Sequence, residues 1–162
     1  PKYTKAYLRR GNAKFAIRDY RGAIADFNKA IEVRYLYESL ESVYNDRGLA
    51  KEYLGDYTGA ITDFSKAIEN ERHPDSLSGL YSNRGNAKSS IRDYRGAIAD
   101  FNKAIEIDPW DEAAYVNRAR VKEIQGRMRG ACSDLRKAQS LIGDDSYEEL
   151  IRYKCDNKWF LF

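Results

Sequence analysis

RGNAKFAIRDYRGAIADFNKAIE, the stretch from Arg10 to Glu32, returns from Arg84 to Glu106 changed only where Phe15 becomes Ser89 and Ala16 becomes Ser90. A looser copy lies between them, so that Gly11, Gly48 and Gly85 fall 37 residues apart, and a degenerate fourth copy puts Ala119 at the same place. Self-similarity on this scale marks an array. Each unit is one supersecondary module that cannot cover its own apolar face and buries it by stacking on the next.

Each unit reads as two helices. In the first, Lys5 to Ile17 carries Ala6, Tyr7, Ala13, Phe15 and Ile17 among polar residues, and Arg21 to Val33 carries Ala23, Ile24, Phe27, Ala30 and Ile31. The second set forms a single stripe at helical spacing. Between them Arg18 to Gly22 contains Asp19, an acid suited to the electropositive start of the following helix, and the matching Leu54-Gly55-Asp56-Tyr57 adds a glycine where a helix would end. A break of about four residues implies an antiparallel hairpin.

Small residues recur at Gly11, Gly48, Gly85 and Ala119 in the first helices and at Ala23, Ala60, Ala97 and Ala131 in the second. These two sets are expected to meet, bringing the axes close. Tyr7, Tyr44, Tyr81 and Tyr115, with Phe27, Phe64, Phe101 and Leu135, supply the larger apolar groups, and Ala30, Ala67, Ala104 and Ala138 repeat one turn later. Each unit also carries one Arg (Arg10, Arg47, Arg84, Arg118) and one Asp (Asp26, Asp63, Asp100, Asp134) on opposite helices. A ladder of charged pairs with a structural role is expected, each Arg stem lying along its hairpin.

The chain resembles the tetratricopeptide repeat family. The family pattern W-x2-L-G-x2-Y followed by A-x3-F and P is met as Tyr7-x2-Arg10-Gly11 with Ala23-x3-Phe27, Tyr44-x2-Arg47-Gly48 with Ala60-x3-Phe64, and Tyr81-x2-Arg84-Gly85 with Ala97-x3-Phe101 and Pro109. The fourth copy is Tyr115-x2-Arg118-Ala119 with Ala131-x3-Leu135, so the likeness runs from Thr4 to Leu141. It implies an all-α, right-handed α-solenoid of antiparallel hairpins in one domain over 1–162, with repeats at about 4–40, 41–77, 78–111 and 112–143 and a capping helix and tail over 144–162. Three departures stand out. Arg10, Arg47, Arg84 and Arg118 replace the family's Leu; Lys14, Lys51, Lys88 and Lys122 replace its second Tyr; and the closing Pro survives only as Pro109. The 37-residue spacing exceeds the family's roughly 34, which predicts longer helices or connections around Tyr35 to Leu40 and Arg72 to Leu77.

The resemblance also locates function. In this family the first helices line a concave groove that accepts an extended or helical partner segment. Its register puts Lys5, Leu8, Arg9, Asn12 and Phe15 there from the first unit, and Asn45, Asp46, Leu49, Glu52 and Tyr53 from the second. Ser82, Asn83, Asn86 and Ser89 follow, then Val116, Asn117, Arg120 and Glu123. The partner-binding candidates are Arg9, Asn12, Phe15, Asp46, Glu52, Tyr53, Asn83, Asn86, Asn117 and Arg120. The four Asn are favoured because an amide both donates to and accepts from a peptide backbone, and Arg9 and Arg120 suit a carboxylate. The clamp with which some members grip a C-terminal carboxylate is not intact. Leu8, Asp46, Gly79 and Asn83 replace its Lys, Asn, Lys and Arg in units one to three, and units two to four offer Leu49, Ala113 and Asn117 at the altered positions. Chaperone-tail binding of that kind is therefore expected to be absent.

With 33% charged residues and 13 Tyr, 6 Phe and 2 Trp, the composition suits a solenoid with a real core rather than disorder. No apolar run approaches the roughly 20 residues that span a bilayer. One His, no phosphate loop, no nucleophile paired with a base and no metal-ligand spacing argue against an enzyme and imply no cofactor or metal. The expected function is a non-catalytic scaffold that binds a protein or peptide segment. Alternatives are a self-associating or domain-swapping module, with the aromatic tail as one contact, and an RNA-binding helical repeat. Nucleic acid is the weaker partner because the net charge is only +3, although Arg118, Arg120, Lys122, Arg127 and Arg129 crowd one end.

Asp144-Asp145-Ser146 before Tyr147 to Cys155 reads as a well-capped final helix whose Tyr147, Leu150 and Ile151 cover the fourth unit. Asn157 to Phe162, which ends Trp159-Phe160-Leu161-Phe162, is read as folding back for added cover or as docking on another molecule. Cys132 and Cys155 are too few for a disulfide framework; the two could be neighbours, and a pair of reduced, buried thiols is favoured over the alternative of a bond between them. A chain starting at Pro1 reads as a piece of something longer, so the missing signal peptide does not fix the compartment, for which the sequence favours the cytoplasm only weakly.

Overall fold

Asp19, Asp56 and Asp93 each close a turn and open a helix: their carboxylates accept the backbone N–H of Gly22, Gly59 and Gly96 at 2.9 Å. These caps set the hairpins in a computed structural model that describes residues 2–33, 40–71, 73–143 and 145–156. Helices α1 (Lys2–Ala16) and α2 (Tyr20–Glu32) form the first hairpin, and α3 (Glu41–Tyr53) and α4 (Tyr57–Asn70) the second. Then follow α5 (Leu77–Ser90) with α6 (Tyr94–Ile107), and α7 (Glu112–Ile124) with α8 (Met128–Ile142). Helix α9 (Glu148–Ile151) and a wide π-helical turn over Arg152–Asp156 close the described chain. The architecture is an all-α helical-repeat solenoid. Every second helix packs against the first helix of the next hairpin, and α1, α3, α5 and α7 also touch in turn, which makes their side the inner one.

The turns are tighter than the sequence suggests, since the second helices begin at the residue after the aspartate. Reversal requires a left-handed backbone, supplied by Gly55 at φ 80° and Gly126 at φ 72°, but by Arg18 and Arg92 at φ 64° in the two near-identical units.

The recurrent glycines serve a different neighbour from the one expected. A Cβ built on Gly11, Gly48 or Gly85 would lie 2.6, 2.7 or 2.9 Å from the ring of Phe27, Phe64 or Phe101, so these glycines make room for a phenylalanine rather than chiefly for a facing alanine. The three rings are fully buried, as are Ala23, Ala60 and Ala97.

The charged ladder is present and has three members per rung. Asp63 accepts Arg47 Nε at 2.8 Å, Arg47 Nη2 at 2.6 Å and Lys51 Nζ at 2.8 Å. Arg10 and Lys14 hold Asp26, Arg84 and Lys88 hold Asp100, and Arg118 and Lys122 hold Asp134 in the same way. Each guanidinium also lies 5.3 to 5.5 Å over the ring of Tyr7, Tyr44, Tyr81 or Tyr115. The departures from the family pattern at Arg and Lys are thus one feature. They cooperate around a buried aspartate.

The third nitrogen of the guanidinium stitches hairpins together. Arg47 Nη1 donates to Asn28 at 2.6 Å, Arg84 Nη1 to Ser65 at 3.0 Å, and Arg118 Nη1 to Asn102 at 2.6 Å. Arg10 lies in the first described hairpin and its side chain is 61% exposed, against 13% for Arg47. Two of the five cations crowded near the fourth unit, Arg118 and Lys122, are therefore spent on Asp134.

Extra length between the second and third hairpins appears as a 3-10 turn over Pro74–Ser76. The corresponding stretch between the first and second, 34–39, and the aromatic tail, 157–162, lie outside the described residues.

The end of the array corrects three expectations. No side chain caps α9, which has Tyr147 at its N-cap and spans only Glu148–Ile151 before the π turn. Ile151 is buried with Ala119, Ala131 and Leu135, and Tyr147 packs beside them, but Leu150 is 37% exposed. Cys132 and Cys155 are bonded rather than reduced. Helix α8 presents Cys132 toward the covering segment, and the π turn carries Cys155 over it with a Cα–Cα separation of 5.7 Å, within bridging range. Tyr147 donates its hydroxyl to Glu112, and Lys154 pairs with Glu123, which further anchors the cover to α7.

Candidate functional site

The inner side carries one run of hollows. At one end Asn12, Phe15, Asp46 and Leu49 line a recess between α1 and α3. A wider one follows, bounded by Leu49, Glu52, Tyr53, Tyr57, Asn83, Asn86 and Ser90. A third is walled by Glu52, Asn86, Ser89, Ser90, Asn117 and Arg120. Leu49, Glu52 and Asn86 are shared walls, so the recesses form a groove across all four hairpins. Nine of the ten candidates line it, and Arg9 does not: it is exposed on α1 outside these recesses.

Helical periodicity produces this alignment. Positions three or four apart on one helix share a face, which groups Asn12 with Phe15, Asp46 with Leu49 and Tyr53, and Asn83 with Asn86 and Ser90. Stacking the hairpins then sets these faces side by side.

The amides fall into two classes. Asn83 Nδ2 donates to Asn45 Oδ1 at 3.1 Å, Asn45 Nδ2 approaches Asp46 Oδ1 at 3.4 Å, and Asn12 also hydrogen-bonds Asp46. This polar chain runs from α1 through α3 to α5. Burial pushes the Asp46 carboxyl up, and the two amides partly counter it by favouring the charged form. Asn86 and Asn117 make no side-chain hydrogen bond among the described residues, so their donors and acceptors face the groove unused. The sequence did not separate these classes, because cross-helix partners depend on stacking geometry.

Phe15, Tyr20 and Tyr53 form a ring cluster at one wall. Phe15 meets Tyr20 and Tyr53 edge-on at 5.3 and 5.5 Å, and Tyr20 stacks on Tyr53 at 4.7 Å. Tyr53 remains 64% exposed. Tyr20 belongs to a second helix and was not among the candidates; its signal was the Tyr repeated after each capping Asp at Tyr20, Tyr57 and Tyr94. The Phe15 to Ser89 difference between the near-identical units thus makes one end of the groove aromatic and the other hydroxylic.

Glu52 stands in the middle. Burial pushes its carboxyl up, and no hydrogen bond or ion pair among the described residues offsets that burial. Arg120 shares a recess with it but makes no ion pair among the described residues. No group of three metal-ligating side chains occurs among the described residues, nor is any helix among them long and apolar enough to cross a membrane.

The sequence profile described as tetratricopeptide repeat matches residues 4–35, 41–73 and 79–111. No curated protein matches the chain in sequence. Among solved structures, the chain resembles MamA (41-end) from Desulfovibrio magneticus RS-1 with a TM-score of 0.81 and 17% identity over 98% of this chain and 86% of that one. It resembles the Arabidopsis OM64 TPR domain at TM-score 0.67 and 24% identity, over 75% of this chain and 96% of that one. It also resembles the first TPR of Spaghetti (RPAP3) bound to the HSP90 peptide SRMEEVD, at TM-score 0.69 and 21% identity over 77% and 94% of the two chains.

Proposed function

The chain belongs to the tetratricopeptide repeat family, and on that premise we propose that it is a non-catalytic interaction scaffold that holds an extended protein segment in the groove of α1, α3, α5 and α7. The observation that carries this reading is the pair of unused amides, Asn86 and Asn117, side by side in one recess. An extended peptide makes no internal backbone hydrogen bonds, and a carboxamide satisfies one N–H and one C=O of it. Phe15 and Tyr53 add apolar contact at one end, and Arg120 a donor fork at the other.

The segment is not gripped by a terminal carboxylate. SRMEEVD is the ligand of the RPAP3 domain, but here Leu8 and Gly79 offer no cation and Asp46 would oppose an acidic tail. Selecting from a displayed library of random peptides tests the reading. Enriched peptides are expected to lose about tenfold or more in affinity to the Asn86→Ala/Asn117→Ala variant at unchanged melting temperature. Peptides that bind this variant as tightly as the parent would place the binding surface elsewhere.

A further inference from the structure

Position 52 has an internal counterpart that is already occupied. Glu52 on α3 corresponds in the repeat to Glu123 on α7, as both follow the ladder lysine, Lys51 or Lys122. Glu123 holds Lys154 of the covering segment, whose Nζ lies 2.6 and 2.7 Å from the two carboxylate oxygens. At this repeat position, then, a carboxylate takes a cation from the element stacked next along the array. For Glu52 the element stacked next is α5, which lines its recess with Asn83, Asn86 and Ser90 and brings no cation to it.

We propose that Glu52 and the exposed face of Tyr53 form a seat for an arginine or lysine side chain of the bound segment, so that the groove selects a basic partner rather than an acidic one. This rests on the groove reading above. Three observations support it beyond the Glu123 pair. Glu52 is partly withdrawn from water with nothing to compensate, a cost that an incoming cation would relieve. Tyr53, one of whose faces stacks on Tyr20, lines the same recess and leaves most of its surface open, and an aromatic face beside a carboxylate favours a cation on both counts. The charges around the seat also agree. Helix α3 contributes Asp46, α5 contributes only Asn83, Asn86, Ser89 and Ser90, and the Arg and Lys of α1, α3, α5 and α7 in the ladder are tied to aspartates. Arg120 shares the third recess with Glu52 but makes no ion pair with it among the described residues and is absent from the recess that holds Tyr53. A single carboxylate with no further ligands suits an organic cation and not a metal ion.

The peptides enriched from the random library decide the matter. Those whose binding depends on Asn86 and Asn117 are expected to share an Arg or Lys in fixed register, and Glu52→Gln is expected to weaken them about tenfold at low salt. Replacing that peptide cation by Gln should cost the same, with no further loss when the two changes are combined. Glu52→Gln should leave the melting temperature of the free protein unchanged or raised. Groove-dependent peptides without a common cation, or insensitive to Glu52→Gln, would overturn the cation seat and leave the scaffold reading standing. Absence of any groove-dependent peptide would remove both. A lowered melting temperature for Glu52→Gln would make Glu52 a structural residue and overturn the seat by itself.

Discussion

Ala119 shares a buried cluster with Leu135 in the last hairpin, at the two positions where Gly48 faces Phe64 in the second. A methyl group is tolerated at the first position only where the facing side chain gives up the ring. Gly48→Ala is therefore expected to destabilise the protein by about 1–3 kcal/mol through overpacking, in spite of the better helix propensity of Ala. Adding Phe64→Leu should recover part of that loss, so the double variant unfolds at a higher urea concentration than the sum of the single effects gives. Gly79→Ala, with nothing within 4 Å of the new Cβ, is the control and should be neutral or stabilising.

Asp63 is buried and accepts from both Arg47 and Lys51. Removing it strands two cations whose side chains are only 13% and 20% exposed. Asp63→Ala should cost about 3–5 kcal/mol in urea denaturation, the range for breaking one side of a buried pair. A loss below 1 kcal/mol would show that the ladder contributes little to stability.

The Asp26 carboxyl is held down at about 2 from its ordinary 3.8, first by the hydrogen bond from Arg10 and then by Lys14, against a cost of burial. A depressed folded value stabilises the protein above the unfolded value and ceases to do so as the group is protonated. The Asp26 contribution should thus be complete above pH 3.8 and vanish as pH falls toward 2. Subtracting the urea midpoints of Asp26→Asn from those of the parent across that interval isolates it. Glu52 works in the opposite sense, since its raised value makes its contribution less favourable as pH rises through it.

Much of this was legible in the sequence because the repeat displays each position several times. The hairpins, the Arg and Asp partnership and the inner face follow from periodicity, which stacking preserves. The Lys14, Lys51, Lys88 and Lys122 contacts were missed because they were read as departures from the family pattern rather than as partners of the same aspartates. The division of the groove amides escaped for a different reason. Asn83 and Asn45 lie on neighbouring first helices, and the tilt between hairpins, invisible in the chain, decides that they meet. Cys132 and Cys155 fall where the repeat has ended, so no periodicity fixes the path of the cover.

Reducing that bond frees the cover from α8. The crosslink spans a sequence separation of 23 residues, for which lost chain entropy in the unfolded state gives about 3 kcal/mol. Dithiothreitol should accordingly lower the melting temperature and open 145–156 to limited proteolysis, while cleavage upstream of α7 stays unchanged. Identical digestion patterns with and without reductant would show that Ile151, Tyr147 and Lys154 suffice to hold the cover.

Arg47, Arg84 and Arg118 each reach back to Asn28, Ser65 or Asn102 with the one nitrogen that their own aspartate leaves free. Both halves of the seam are thus encoded within each of the first three modules, acceptor on the trailing helix and donor on the leading one, whereas Arg136 stands at the acceptor position of the fourth. Tandem duplication of such a segment would inherit its junctions ready-made, and Arg10–Glu32 and Arg84–Glu106 are nearly identical in sequence. Lengthening or shortening the array by one whole module is then an accessible genetic step, which would extend or trim the groove without any need to invent a new interface.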